Sequence, residues 1–261
     1  MVIAKRLRIC YSPTVSDMRT VILADIHGNL EAFRAVLADA LGRGPIDELW
    51  CLGDVVGYGP DPSNCIGLLR QYPHLCIAGN HDWAAIGNID TTYFNPEAAA
   101  AAHWTAEQLG PGDVEYLKGL PLTLQRGDFT LAHGSPREPI WEYVASVSTA
   151  RANFSHFDTR FCLVGHSHVP LIFALSADNV CQVRPLPEQL PLRGERDRLI
   201  VNCGGVGQPR DGDPRASYAI LDRDSDTIFH YRVEYDIAAT QRKMEAAGLP
   251  PRLVTRLSYG L

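Results

Sequence analysis

Apolar positions fall into short runs early in the chain, and each run stops at a polar, glycine-rich cluster. The first run, Arg19-Thr20-Val21-Ile22-Leu23-Ala24, suits one buried strand and stops at Asp25-Ile26-His27-Gly28-Asn29. The period then lengthens. Leu30, Phe33, Val36, Leu37 and Leu41 share one helical face, with Asn29 placed to cap the helix and Gly42 and Gly44 to end it. Leu49–Leu52 is a second buried strand, ending at Gly53-Asp54. Pro62–Tyr72 reads as a helix with Ile66 and Leu69 inward, and Leu75–Ala78 as a strand ending at Gly79-Asn80-His81-Asp82. Pro96–Gln108 predicts an alanine-rich helix with Pro96 in its first turn. A short helix over Val114–Leu117 follows. Leu122–Gln125 and Phe129–Leu131 then pair as a hairpin around Arg126-Gly127-Asp128.

Strands dominate the second half: Arg160–Val164, ending at Gly165-His166, then Leu171–Ala174, Cys181–Arg184, Leu199–Asn202, Tyr218–Leu221 and Thr227–Val233. Residues 185–198, rich in proline and charge, read as a surface loop, and 237–246 and 250–258 as helices. Strand–loop–helix units of this kind predict a layered α/β fold whose sites lie where strands end. Residues 1–17 show no period and Met18 stands directly before the first strand. They read as an N-terminal extension, such as an upstream start would add. The remainder, 18–261, reads as one domain ending in C-terminal helices.

At 261 residues and 46% hydrophobic side chains, the chain can bury a core without disulfides. Its seven cysteines form no CxxC pair and sit mostly in apolar runs, as buried thiols of a reducing compartment do. No apolar run approaches the roughly 18 residues of a membrane helix. Lys5, Arg6 and Arg8 lack the apolar stretch of a secretory signal behind them. A cytoplasmic location is expected. Lys+Arg 24 against Asp+Glu 30 gives a net charge of −6, which disfavours a nucleic-acid backbone as partner. Positive charge for a phosphate would have to come from something other than Lys and Arg.

The strand-end clusters supply a candidate source. They are Asp25-x-His27, Gly53-Asp54, Gly79-Asn80-His81-Asp82, His133-Gly134 and Gly165-His166-Ser167-His168. In extended backbone, residues i and i+2 face one way, so Asp25 and His27 can share a site, as can His166 and His168. Two carboxylates, a carboxamide and four imidazoles, with no thiolate, suit Mn, Fe, Co, Ni or Zn. Seven donors are too many for one ion. Two divalent ions sharing a carboxylate fit the count and leave the site about +2, suited to a phosphoryl group.

The five clusters, in this order, resemble the calcineurin-like metallophosphoesterase superfamily, whose pattern is D-x-H, G-D, G-N-H-D/E, H and G-H-x-H. Gly53-Asp54-Val55-Val56-Gly57-Tyr58-Gly59-Pro60 and Val206-Gly207-Gln208-Pro209-Arg210-Asp211 resemble a bacterial and archaeal subgroup of largely uncharacterised phosphoesterases. The likeness covers roughly residues 18–235. It implies a four-layer αββα sandwich with a dinuclear site at one edge of the two sheets. Carried over by residue, it implies that Asp25, His27 and His168 bind one metal, that Asn80, His133 and His166 bind the other, and that Asp54 bridges them. It makes His81 a catalytic group beside the metals, as a general acid or a donor to the phosphoryl oxygen. A water acidified by two cations would attack phosphorus, and His81 would protonate the leaving oxygen.

The chain departs from the superfamily's Ser/Thr protein phosphatases. Where their second motif, G-D-x-V-D-R-G, has Asp and Arg, this chain has Gly57 and Tyr58. That disfavours protein-phosphatase activity and leaves Asp82 as a candidate to orient His81. The usual N-P-G-S-V-G segment reads Asn202-Cys203-Gly204-Gly205-Val206-Gly207. Arg137 and Arg210 either reach a substrate phosphate or form ion pairs, Arg210 with Asp211. Tyr58 either lines the pocket or packs. His74, His103, His156 and His230 lie outside any motif and read as ordinary histidines. The expected activity is metal-dependent hydrolysis of a small phosphomonoester or diester. The alternatives are a catalytically silent metal-binding scaffold, which would be expected to have lost some ligands, and a nuclease, which the acidic balance disfavours. Substrate, native metal and oligomeric state stay open at this level.

Overall fold

A computed structural model describes residues 18–261; the expected extension, 1–17, lies outside the described residues. The elements in chain order are β1 (Arg19–Leu23), α1 (Leu30–Gly42), β2 (Glu48–Cys51), α2 (Pro62–Leu69), β3 (His74–Cys76), α3 (Asn80–Ala85), α4 (Pro96–Gln108), α5 (Pro111–Lys118), β4 (Thr123–Arg126), β5 (Phe129–Ala132), α6 (Val147–Asn153), β6 (Phe161–Val164), β7 (Leu171–Leu175), β8 (Cys181–Pro185), β9 (Gln189–Pro191), β10 (Arg198–Asn202), β11 (Ala216–Asp222), β12 (Thr227–Val233), α7 (Ile237–Ala246) and α8 (Pro251–Arg256).

The strands form two six-stranded mixed sheets, ordered β3-β2-β1-β11-β12-β9 and β4-β5-β6-β10-β7-β8. Alternation along each strand shows why the apolar runs are unbroken. Ile22, Trp50 and Leu52 of the first sheet meet Phe129, Leu131, Leu163, Leu199 and Val201 of the second in a core between the sheets. Their strand neighbours Val21, Leu23, Leu49 and Cys51 turn the other way, onto Phe33, Val36 and Leu37 of α1 and Ile66 and Leu69 of α2. On the far side of the second sheet, Cys162, Val164, Phe173 and Ile200 pack against Ala150 and Phe154 at α6. Strands buried on both faces lose the polar half of the alternating pattern. The αββα sandwich expected from the resemblance is therefore the fold observed.

Three elements depart from the sequence reading. The stretch read as a loop over 185–198 contains β9, an edge strand in which only Leu190 is buried. Pro191 costs no ladder bond at an edge, so the proline that argued for a loop is compatible with a strand. Helix α6 has too few apolar positions to show a period; it is marked instead by Ser146, whose side chain accepts from the Thr149 N–H. Helix α3 begins within the cluster Gly79-Asn80-His81-Asp82 itself. At six residues it is too short to reveal itself by periodicity.

Helix α7 docks on α1 through polar contacts: the Thr240 hydroxyl donates to Asn29 Oδ1, and Lys243 Nζ reaches Glu31 and Asp61. This seats α8 beside the strand-end edge, because Leu253, Val254 and Leu257 pack with Met244 and Tyr58 in one cluster. No helix among the described residues is long and apolar enough to cross a membrane.

Candidate active site

Parallel pairing aligns β3, β2 and β1 in one sheet and β5, β6 and β10 in the other. Their C-terminal ends meet along one edge, and all five clusters lie there. Asp25, His27, Asp54, Asn80, His81, His133, His166 and His168 are each at most 3% exposed.

The backbone turns left-handed at the site. Asp25 (φ 56°), His27 (50°), Asp54 (54°), His166 (64°) and His168 (59°) all occupy the region that favours glycine, as does Tyr58 (58°). Each such residue costs about 1–2 kcal/mol, and strain of this kind concentrates at functional sites. The paired facing of Asp25 with His27 and of His166 with His168 therefore arises from left-handed turns, which corrects the extended geometry expected from sequence.

The donor atoms converge. His168 Nε2 lies 3.2 Å from Asp25 Oδ1 and 3.2 Å from His27 Nε2. His133 Nε2 lies 3.1 Å from Asn80 Oδ1, 3.2 Å from His166 Nδ1 and 3.3 Å from Asp54 Oδ2. Asp54 Oδ2 is also 3.6 Å from His27 Nε2. Asp25, His27 and His168 thus form one group able to hold a metal, and Asp54, His133 and His166 a second. A third such group joins His27 and Asp54 to His81.

The other ring nitrogens face backbone carbonyls, which can only accept. His27 Nδ1–H donates to Val56 O, His133 Nδ1–H to Leu52 O, His168 Nδ1–H to Gln208 O and His166 Nε2–H to Trp141 O. In neutral imidazoles this leaves the inward-facing nitrogens as bare lone pairs. The contact between His27 Nε2 and His168 Nε2 is then two lone pairs face to face, which a cation relieves. Asp54 Oδ2 is buried with no hydrogen-bond partner, while its Oδ1 accepts from the His81 N–H at 2.8 Å. The residues present therefore fit divalent metal. Where no metal competes, burial would lower the His133 pKa, but Asp54 outweighs burial and holds it up at about 9.

His81 is held differently. Its ring stacks on Phe94 at 4.7 Å and lies 4.2 Å from Tyr58, and its Nδ1 has no partner. Burial pushes its pKa down to about 4 against the pull of Asp54. Asp82 does not orient His81, as sequence had suggested. Its carboxylate instead accepts from the N–H groups of Asp54, Val56 and Gly79 at 2.8, 3.1 and 2.9 Å, fixing the Asp54 turn. At the position of the protein-phosphatase aspartate, Gly57 leaves no room for a side chain. At φ 88°, a Cβ there would lie 2.7 Å from His81 Nδ1.

A cleft of about 720 Å³ opens from this edge, lined by Tyr58, His81, Phe94, Trp141, Arg210 and Arg256 among others. Tyr58 both lines it and packs on His27, at 4.7 Å between rings. Arg210 lines it too, its guanidinium donating to Gln208 Oε1, while Asp211 pairs with Arg232 instead. Arg137 is not brought to the cleft; it pairs with Glu142. The motif-free histidines serve locally: His74 bonds Tyr116 and His230 bonds Ser217. Cys203 is inert, burial pushing its thiol up to about 12. Sequence reasoning missed Phe94, Trp141, Tyr143 and Arg256. Tyr143, for example, stacks on His166 at 3.8 Å. No spacing relates these residues to the motifs.

Comparison with known proteins agrees with this geometry. Residues 18–226 match the calcineurin-like phosphoesterase superfamily domain. An uncharacterised protein of Methanocaldococcus jannaschii is 37% identical over 244 residues, covering 92% of this chain and 97% of that one. The crystal structure of a metallophosphoesterase from Sphaerobacter thermophilus superposes with a TM-score of 0.83 at 47% identity, over 94% of this chain and 100% of that one. A symmetrical bis(5'-nucleosyl)-tetraphosphatase of Photorhabdus laumondii is 30% identical over 105 residues, 35% of this chain and 38% of that protein. The chain belongs to the calcineurin-like phosphoesterase superfamily.

Proposed function

We propose that the chain hydrolyses small phosphate esters at a site holding two divalent transition-metal ions. Asp25, His27 and His168 would hold the first, Asn80, His133 and His166 the second, and Asp54 both. The observation that carries this reading is the convergence of imidazole nitrogens on Asp54 Oδ2, a buried carboxylate oxygen with no hydrogen-bond partner. Held there, two such ions would supply positive charge to acidify water and to take up charge on phosphoryl oxygens. The protein's part is preorganisation: left-handed turns aim the donors, and backbone carbonyls lock the tautomers before any ligand arrives.

His81 is read as the proton-handling group. Carbonyl partners fix the tautomers of the other four site imidazoles, and none fixes that of His81. It can therefore present a proton to a leaving oxygen. Arg210 and Tyr58 form the adjoining wall. Gly57 and Tyr58, in place of the aspartate and arginine of the protein phosphatases, favour simple diesters and small monoesters over phosphoprotein. The partial likeness to a protein named for a dinucleoside tetraphosphate supports a small phosphorylated substrate.

The test is hydrolysis of a panel of p-nitrophenyl mono- and diesters with Mn, Fe, Co, Ni or Zn supplied singly after chelation. Metal-dependent turnover of bis-p-nitrophenyl phosphate, exceeding that of phosphoserine peptides, is expected. No turnover with any metal would refute the enzyme reading and favour the scaffold.

A further inference from the structure

The cleft beside the candidate metal centre carries more positive charge than one scissile phosphate needs. Arg210, Arg252 and Arg256 all line it, in a chain of net charge −6. Among the described residues, neither Arg210 nor Arg256 has an aspartate or glutamate within ion-pair distance, whereas Arg252 lies 3.7 Å from Glu97. Arg256 is half-buried, and its Nε–H donates to the carboxyl oxygen of the last residue, Leu261, which leaves its two terminal nitrogens free of that contact. Arg210 and Arg252 lie close enough to Arg256 for their like charges to disfavour its own. Gathering guanidinium groups is costly unless anions join them, and Arg210, whose partner is the neutral Gln208 amide, has none.

Arg210 lies 5.7 Å from the Tyr58 ring, which itself packs against His27. Arg256 is influenced by both Tyr58 and Arg210, and Arg252 stands at the rim with its side chain 83% exposed. The cleft also carries a continuous aromatic run. His81 stacks on Phe94 at 4.7 Å, Phe94 meets Trp141 at 5.2 Å, and Trp141 meets Tyr93 at 5.9 Å. Tyr93 is 79% exposed. Arginines and aromatic rings lining one cleft match an anionic chain that ends in a flat ring, since arginine binds phosphate oxygens and aromatic faces take a base by stacking.

We propose that the cleft binds a nucleoside oligophosphate, with its non-reacting phosphates on Arg210 and Arg256 and its base against Phe94 and Trp141. Arg252 and Arg256 belong to α8, beyond the residues 18–226 matched to the superfamily domain. On this assignment, the C-terminal helix pair is a specificity element that this chain adds to the common site. The assignment rests on the phosphoesterase reading for the position of the scissile phosphorus, and its test is chosen to fail separately.

The metal-loaded protein is titrated calorimetrically with adenosine 5'-(β,γ-methylene)triphosphate, adenosine 5'-monophosphate and inorganic tripolyphosphate. The triphosphate analogue is expected to bind at least tenfold tighter than the monophosphate, in the range of one charge-assisted contact. Arg256→Gln should bring that ratio close to one, and Arg256→Lys should keep most of it. Trp141→Ala should weaken the analogue by roughly 5–50-fold relative to tripolyphosphate, which has no base to stack. Equal wild-type affinity for the two nucleotides, or a ratio that survives Arg256→Gln, would overturn the proposal. If Arg256→Gln does not fold, salt dependence in the wild type decides. A steeper loss of affinity with NaCl for the analogue than for the monophosphate supports the proposal, and equal slopes overturn it. Hydrolysis of bis-p-nitrophenyl phosphate without this nucleotide preference sinks the oligophosphate assignment alone. The preference without any hydrolysis sinks the enzyme reading alone.

Discussion

Replacing Gly57 with alanine sets a methyl group against the histidine read as catalytic. Two costs follow from the structure. Gly57 sits at φ 88°, so any side chain there pays about 1–2 kcal/mol for left-handed backbone. Its Cβ would also lie 2.7, 2.8 and 2.9 Å from His81 Nδ1, Cβ and Cγ, and overpacking of that kind costs about 1–3 kcal/mol. The single substitution should therefore destabilise the fold by about 2–5 kcal/mol or push the His81 ring aside. A displacement on the order of 1 Å lowers turnover about 100-fold. Denaturant melts and bis-p-nitrophenyl phosphate kinetics on Gly57→Ala, His81→Ala and the double variant separate the two costs. His81→Ala removes the Nδ1 and Cγ contacts but keeps the Cβ at 2.8 Å, so the double variant should regain part of the overpacking share and retain the backbone share. Strictly additive stability losses would refute the argument that His81 and Gly57 are sterically coupled.

Other consequences can be checked independently. Asp54→Asn keeps the acceptor for the His81 N–H but aims an amide at His27 and His133; elemental analysis should show metal lost from both positions, and loss from one alone would count against sharing. His81→Ala should keep its metal content and lose about 10²–10³-fold in turnover, less for a p-nitrophenolate leaving group than for an alkoxide. Loss of metal on that substitution would make His81 a ligand, as its grouping with His27 and Asp54 permits. His230 is held neutral by burial, its pKa pushed down to about 4 from 6.5. The unfolded chain takes up its proton first, so this group's contribution is intact above pH 6.5 and falls away as pH drops toward 4. His230→Gln should flatten that part of the stability–pH curve, and an unchanged slope would contradict the burial argument.

The parts of the site legible in sequence are those that a strand delivers. Val21–Ala24 and Phe161–Val164 end at Asp25 and His166, and a buried strand fixes where its terminal residues lie. The chemistry of the donors then pointed to divalent metal without any geometry. What supports the donors was not legible. Any residue can supply the carbonyls of Leu52, Val56, Trp141 and Gln208, so their acceptor role leaves no mark on sequence. Asp82 was visible but misread: it holds the Asp54 turn through backbone N–H groups, and only the fold shows those groups pointing at it. Helix α3 was hidden because its first turn is made of site residues. The cleft's aromatic and basic walls come from Phe94, Trp141 and α8, which tertiary packing alone brings to the strand-end edge.

Anomalous diffraction from crystals of the manganese-reconstituted protein, collected at the metal's absorption edge, tests the central claim most directly. Two manganese peaks per chain are expected. One should lie against Asp25, His27 and His168, the other against Asn80, His133 and His166, with Asp54 contacting both. A single peak, or two peaks of which Asp54 touches only one, would contradict the account.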